Sequence, residues 1–217
     1  MDNACSWRWR TGYDFALKAC GLALLAWATP HARAADAAAL VVDEQGAPVA
    51  DAAVYWLPLT GKAPRGSLSG NIAQQSKTFI PYVSVVQVGT AVSFPNQDTV
   101  RHHVYSFSAA KVFDLKLYSG TPAQPVVFDK PGLVALGCNI HDWMLAYVLV
   151  VETPWFDVSG DNGMAQVKNL PPGDYRVTVW HPRMKEEIIQ QIKIGPALVT
   201  QRMRVQLSKS ELRRQGG

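Results

Sequence analysis

Leu133-Val134-Ala135-Leu136-Gly137-Cys138-Asn139-Ile140-His141-Asp142-Trp143-Met144-Leu145-Ala146-Tyr147-Val148-Leu149-Val150-Val151 reads as an apolar strand, a short loop and a second apolar strand. The loop carries a thiol, an imidazole and a thioether at the spacing C-x2-H-x2-M. Soft sulfur with imidazole suits copper, and a trigonal His2Cys set with a weak axial methionine is the blue-copper electron-transfer arrangement. One imidazole is missing from the loop. The upstream segment Phe94-Pro95-Asn96-Gln97-Asp98-Thr99-Val100-Arg101-His102-His103-Val104 offers two. Successive side chains of a strand point to opposite faces, so only one of His102 and His103 can face a metal.

Outward from this stretch, nearly everything after residue 38 alternates between short apolar runs and turns. The runs include Ala39–Val42, Ala53–Leu57, Ser84–Val88, Ala91–Phe94, His103–Phe107, Val126–Phe128, Tyr175–Trp180, Ile188–Ile194 and Val199–Leu207. No segment sustains a 3.6-residue apolar period, so the expected fold class is all-β, built as sandwiches. Pro172-Gly173 suits a type II turn. In the strand after it, Tyr175, Val177 and Val179 form a buried face, and Arg176, Thr178 and Trp180 a more exposed one.

The N-terminus reads as a targeting signal. Arg8, Arg10 and Lys18 precede an apolar run from Ala19 to Ala28, and Ala32-Arg33-Ala34 offers a cleavage site. Residues 1–34 are therefore expected to be a signal peptide of the general export route, and the mature chain to begin at Ala35 in the periplasm. The apolar run is too short to span a bilayer, and no later stretch reads as a span. Cleavage removes Cys5 and Cys20, leaving Cys138 unpaired in an oxidising compartment; metal ligation explains such a residue. The chain carries a net charge of +4; losing four Arg/Lys and two Asp with the leader leaves +2. That is no nucleic-acid footprint. The polar tail 209–217 is expected to fray.

The middle of the chain resembles the cupredoxins, and within them amicyanin and plastocyanin most closely. Phe94-Pro95-Asn96 stands six residues before His102, as in amicyanin-like sequences. His102-His103-Val104 occupies the place of His-Asn-Val. Phe128-Asp129-Lys130-Pro131-Gly132 leads into the strand before the cysteine, and Cys138-x2-His141-x2-Met144 has the short amicyanin loop length. The likeness covers about 80 residues and implies a Greek-key β-sandwich with one type 1 copper on His102, Cys138, His141 and Met144. It selects His102 over His103, and it implies second contacts from Asn96, His103 and Asn139. There the His103 N–H would meet the Cys138 sulfur and its side chain would reach Asn139. Departures are Val134 and Leu136 where the family often has aromatics, with Gly137 preceding Cys138, and Asp142-Trp143 in place of a proline-rich loop. Trp143 is left either as a docking aromatic beside His141 or as tucked onto the sandwich.

Both flanks resemble the carboxypeptidase-regulatory, transthyretin-like sandwich, through Val41-Val42-Asp43-Glu44-Gln45-Gly46-Ala47-Pro48 and through Asn169-Leu170-Pro171-Pro172-Gly173-Asp174-Tyr175. The expected organisation is one discontinuous Ig-like or transthyretin-like sandwich, residues 37–66 plus 153–208. A cupredoxin domain at 67–152 is inserted in it or joined to it. This combination resembles chains labelled methylamine utilisation proteins.

The function expected is single-electron transport between redox partner proteins, with a periplasmic dehydrogenase or a c-type cytochrome as candidates. A multicopper oxidase or nitrite reductase needs further histidines, whereas the chain after the leader has only His102, His103, His141 and His181. No enzymatic role is therefore expected. The competing classes are a cell-envelope copper-delivery module and a sandwich scaffold with accessory copper. His181 is expected to serve a strand-end turn.

Overall fold

The structure, a computed structural model, describes residues 34–208. The expected leader (but for its last residue) and the tail 209–217 lie outside the described residues. The fold is all-β, and no described residue is helical. Among the described residues, no helix is long and apolar enough to cross a membrane.

The chain opens with β1 (Ala35–Val42) and β2 (Ala53–Pro58). Its middle makes β3 (Ser69–Asn71), β4 (Ala73–Gln75), β5 (Thr78–Ile80), β6 (Val83–Gln87), β7 (Thr90–Ser93) and β8 (His102–Ser108). There follow β9 (Lys111–Tyr118), β10 (Val126–Phe128), β11 (Gly132–Cys138) and β12 (Leu145–Val151). The chain ends with β13 (Phe156–Val158), β14 (Met164–Leu170), β15 (Gly173–Trp180), β16 (Ile188–Ile194) and β17 (Val199–Arg204).

Two sheets draw on both ends of the chain, in the orders β14-β1-β17 and β13-β2-β15-β16. Trp56, Leu170, Val177, Val179 and Met203 fill the space between them. The middle of the chain builds the sheets β6-β12-β11-β8-β9 and β10-β7-β3, with β4 and β5 as a separate hairpin. Phe94, Val104, Phe128, Val134, Leu136 and Val148 form their common core. Phe94 and Phe128 are almost completely buried, each worth about 2–3 kcal/mol of apolar transfer.

A third apolar layer joins the two assemblies. Val83, Val85, Leu149 and Val151 meet Ala53 and Trp180, flanked by Tyr55, Tyr147 and Phe156. This layer corrects one reading of the alternation in β15. Its second face is not exposed: Thr178 is fully buried and Trp180 nearly so, because the middle sheet lies over them. The turn expected at Pro172-Gly173 is also replaced. Gly173 has φ 159°, extended backbone within β15, since the chain crosses here from one sheet to the other rather than closing a hairpin.

His181 follows β15 directly and is 7% exposed. Its carbonyl accepts the Met184 N–H at 2.9 Å and its Nδ1 accepts the Arg183 N–H at 3.1 Å, a strand-end turn. Burial, then the Arg183 charge, push its pKa down to about 4, with Asp51 pulling the other way. The unfolded chain takes up this proton near pH 6.5 and the folded chain only near pH 4. Stability is therefore expected to fall as pH drops from 6.5 to 4, by at most about 3 kcal/mol. Denaturant unfolding of the metal-free protein across that range should show the slope, and His181→Gln should flatten it. An identical slope in the variant would remove His181 as its origin.

Candidate metal centre

β11 and β12 are central antiparallel neighbours, Gly137 facing Leu145, and the loop between them closes one end of the middle sandwich. Its other flank is β8, where Cys138 pairs with Val104 and Gly137 with Tyr105. Gly137 opens a space that the Tyr105 ring occupies: a Cβ built there would lie 2.8 Å from Tyr105 Cζ.

The loop is tied down by its backbone. The Met144 N–H donates to the His141 carbonyl at 2.9 Å, and the Asn139 N–H donates to the His103 carbonyl at 3.2 Å. Cys138 and Met144 are 3% and 2% exposed and belong to the apolar core, whereas His141 between them is half-buried. From β8, His102 points inward and is 0% exposed.

His102, Cys138 and His141 come together: one ligand atom of each lies within 4.8 Å of the others. Cys138 Sγ is 3.7 Å from His102 Nδ1 and 3.8 Å from His141 Nδ1. Metal–sulfur and metal–imidazole bonds are about 2.3 and 2.0 Å long, and at trigonal angles they place sulfur and nitrogen about 3.7 Å apart. The three donors therefore fit a single ion with little movement. Met144 lies buried at the loop's end, in the same apolar core as Cys138.

Tautomers support the same reading. His102 Nε2 lies 2.8 Å from Asp98 Oδ2. Burial raises the Asp98 pKa, but the Lys77 N–H, the His102 ring and the Ser76 N–H outweigh it and hold the carboxyl below the usual range. An ionised carboxylate needs a donor, so Nε2 carries the proton and the Nδ1 lone pair faces the sulfur. A carboxylate on the far nitrogen of a ligand histidine fixes ring and tautomer in this way. Burial, then His102 and Lys77, lower the His141 pKa, which favours its neutral form. Neutral imidazole is the metal-binding form.

Asp98 is the residue of this cluster that sequence reasoning missed. It lies four positions before His102, on a loop whose folding the sequence does not announce. Asn96 supplies that folding. Its side-chain amide donates to the Val100 and Tyr118 carbonyls at 2.8 and 3.0 Å, and its Oδ1 accepts the Asp98 N–H at 2.9 Å.

His103 departs from expectation. Its imidazole turns outward to Asp114 on β9, so its link to Asn139 runs through its carbonyl rather than its side chain. The strand's alternation forces this, with His102 and Val104 taking the inner face. Trp143 is 37% exposed, its Nε1–H donates to the Lys77 carbonyl at 3.2 Å, and its ring centre is 5.2 Å from that of His141.

No family model matches the chain. No curated protein matches it either. Solved structures do. A purple cupredoxin from Nitrosopumilus maritimus is 24% identical over 37% of this chain and 98% of its own, with a TM-score of 0.33. A copper-containing nitrite reductase from Thermus scotoductus SA-01 is 24% identical over 44% of this chain and only 25% of its own, with a TM-score of 0.37. A pseudoazurin from Sinorhizobium meliltoi is 21% identical over 40% of this chain and 76% of its own, with a TM-score of 0.31.

Proposed function

We propose that the chain is an exported electron carrier holding one type 1 copper on His102, Cys138, His141 and Met144. The observation that carries this is the placement of one sulfur 3.7 and 3.8 Å from two Nδ1 atoms, at the spacing a trigonal ion needs. Copper bound there supplies a one-electron couple. Cys138 contributes the thiolate, His102 a nitrogen locked by Asp98, and Met144 a buried thioether that keeps water from the inner side. His141 is the half-buried ligand. Ile140 and Trp143, 49% and 37% exposed, flank it, so a partner docking on this apolar rim comes nearest the metal through His141. Such partners are one-electron donor and acceptor proteins of the cell envelope, an amine dehydrogenase or a c-type cytochrome among them.

The reading extends to organisation. Residues 37–66 with 153–208 form one folding unit and 67–152 a second, inserted unit, because β1 and β2 find their strand partners only after residue 155. Export leaves a mature chain beginning at Ala35.

One preparation tests these statements. Protein recovered from the periplasm should have the mass of a chain starting at Ala35. Loaded with copper, it should show an intense visible band and a reversible one-electron wave. Rapid metal loss on reduction would point instead to copper delivery, and turnover of nitrite or a phenolic substrate to an enzyme. Release of a stably folded 153–217 fragment by limited proteolysis would overturn the inserted arrangement.

A further inference from the structure

The β4–β5 hairpin has no part in the ligand set, yet its two-residue turn touches both segments that carry ligands. The Asp98 carboxylate accepts the Ser76 N–H at 2.7 Å and the Lys77 N–H at 2.9 Å, while its Oδ2 holds His102 Nε2 at 2.8 Å. The Lys77 carbonyl accepts Trp143 Nε1–H from the Cys138–Met144 loop at 3.2 Å. The hairpin's base is fixed separately, by the Tyr118 hydroxyl donating to Gln74 Oε1 at 2.7 Å.

The turn itself is conditional. Ser76 and Lys77 have φ of 53° and 54°, both left-handed. Turns of this kind favour Asn-Gly or Asp-Gly, because a Cβ crowds the following carbonyl oxygen in the left-handed region. Neither residue is glycine or asparagine, so an external partner must hold the conformation. Asp98 takes both N–H groups and is that partner. The position of the Lys77 carbonyl, and so the anchor of Trp143 beside His141, therefore depends on the same carboxylate that orients His102.

We propose that the Ser76–Lys77 turn is a positioning clamp that couples the His102 and His141 sides of the site through Asp98 and Trp143, so that releasing either arm loosens both. The proposal rests on the metal reading above, and it assigns Trp143 a positioning role in addition to its place on the rim.

The test is a double-mutant cycle on the full mature chain with Asp98→Asn and Trp143→Phe, read by copper(I) affinity in competition with a chelator. Outer partners of ligand residues are worth about 10–100-fold in affinity. Each single variant is expected to lose about tenfold, and the double variant no more than the worse single, because one released arm already frees the turn. Losses that multiply would show two independent contacts and overturn the clamp while leaving the metal reading intact. The second readout needs no metal: solvent exchange of His102 Nε2–H in the apo-protein, followed by NMR. Trp143→Phe does not touch His102, so a coupled turn should speed that exchange about tenfold, and an unchanged rate would sink the clamp. If the wild-type chain takes up no copper, the metal reading fails and this exchange measurement decides the clamp alone.

Discussion

Replacing Cys138 with serine is expected to abolish the visible band of the copper-loaded protein and to weaken copper binding by more than about a hundredfold. Residues that merely support ligands are worth about 10–100-fold, so a ligand sulfur should exceed them. The band requires a thiolate on the metal, and Cys138 is the only cysteine among the described residues. The size and polarity of the substitution keep the fold out of the result. Cys138 is 3% exposed, and serine brings a hydroxyl of similar volume. That hydroxyl inherits the lone pair of His102 Nδ1 as an acceptor, which reduces the usual cost of about 1–3 kcal/mol for a buried polar group. The apo-variant should thus unfold within a few degrees of the wild type. A core role for Cys138 makes the opposite forecast, a colour and affinity untouched and a stability clearly lowered. Visible absorption, chelator competition and thermal unfolding of one pair of proteins separate the two.

The contrast between what this sequence announced and what it concealed has a physical basis. The cysteine–histidine–methionine loop stood out because thiol, imidazole and thioether at C-x2-H-x2-M spacing form a distinctive donor set, and because its two flanking strands are long and apolar. The short strands β3, β4, β5 and β13 were not legible. Three residues cannot display a period, and such strands exist only because tertiary partners hold them. β9 is a different case: it is the sheet's edge, and Phe113-Asp114-Leu115-Lys116-Leu117 alternates apolar and polar residues as a half-buried strand does, so its pattern was readable but passed over. β14 is Met164-Ala165-Gln166-Val167-Lys168-Asn169-Leu170, in which Val167 alone is β-branched and Ala165, Lys168 and Asn169 disfavour strands, a weak preference that the pairing with β1 overrides.

Asp98 shows the same limit within the site. Its role depends on Asn96 folding the loop and on the Ser76–Lys77 turn arriving from elsewhere in the chain, contacts that sequence spacing does not encode. The outward turn of His103 was legible in principle, since strand alternation demands it. Its partner Asp114 was passed over with β9, since which strand pairs with β8 is a tertiary fact.

That alternation leads to the second large effect. His102→Ala is expected to eliminate the coloured site, whereas His103→Ala should leave it. His102 is 0% exposed and holds two partners at once, Cys138 on one ring nitrogen and Asp98 on the other. Removing its ring deletes a proposed ligand and leaves a cavity, and it deprives the Asp98 carboxylate of a donor in a largely buried place. The cavity and the lost partner together should cost about 2–4 kcal/mol in the metal-free protein. The ring of His103 is on the other face, 21% exposed, paired with an Asp114 side chain that is 49% exposed. Such surface pairs contribute about 0–1 kcal/mol, so the His103 variant should match the wild type in stability as well as colour. Circular dichroism of both apo-variants guards against a trivial loss of fold in the first. Colour retained without His102 but lost without His103 would mean that β8 presents its opposite face to the metal, and the geometry of Asp98, His102 and Cys138 would then be structural only.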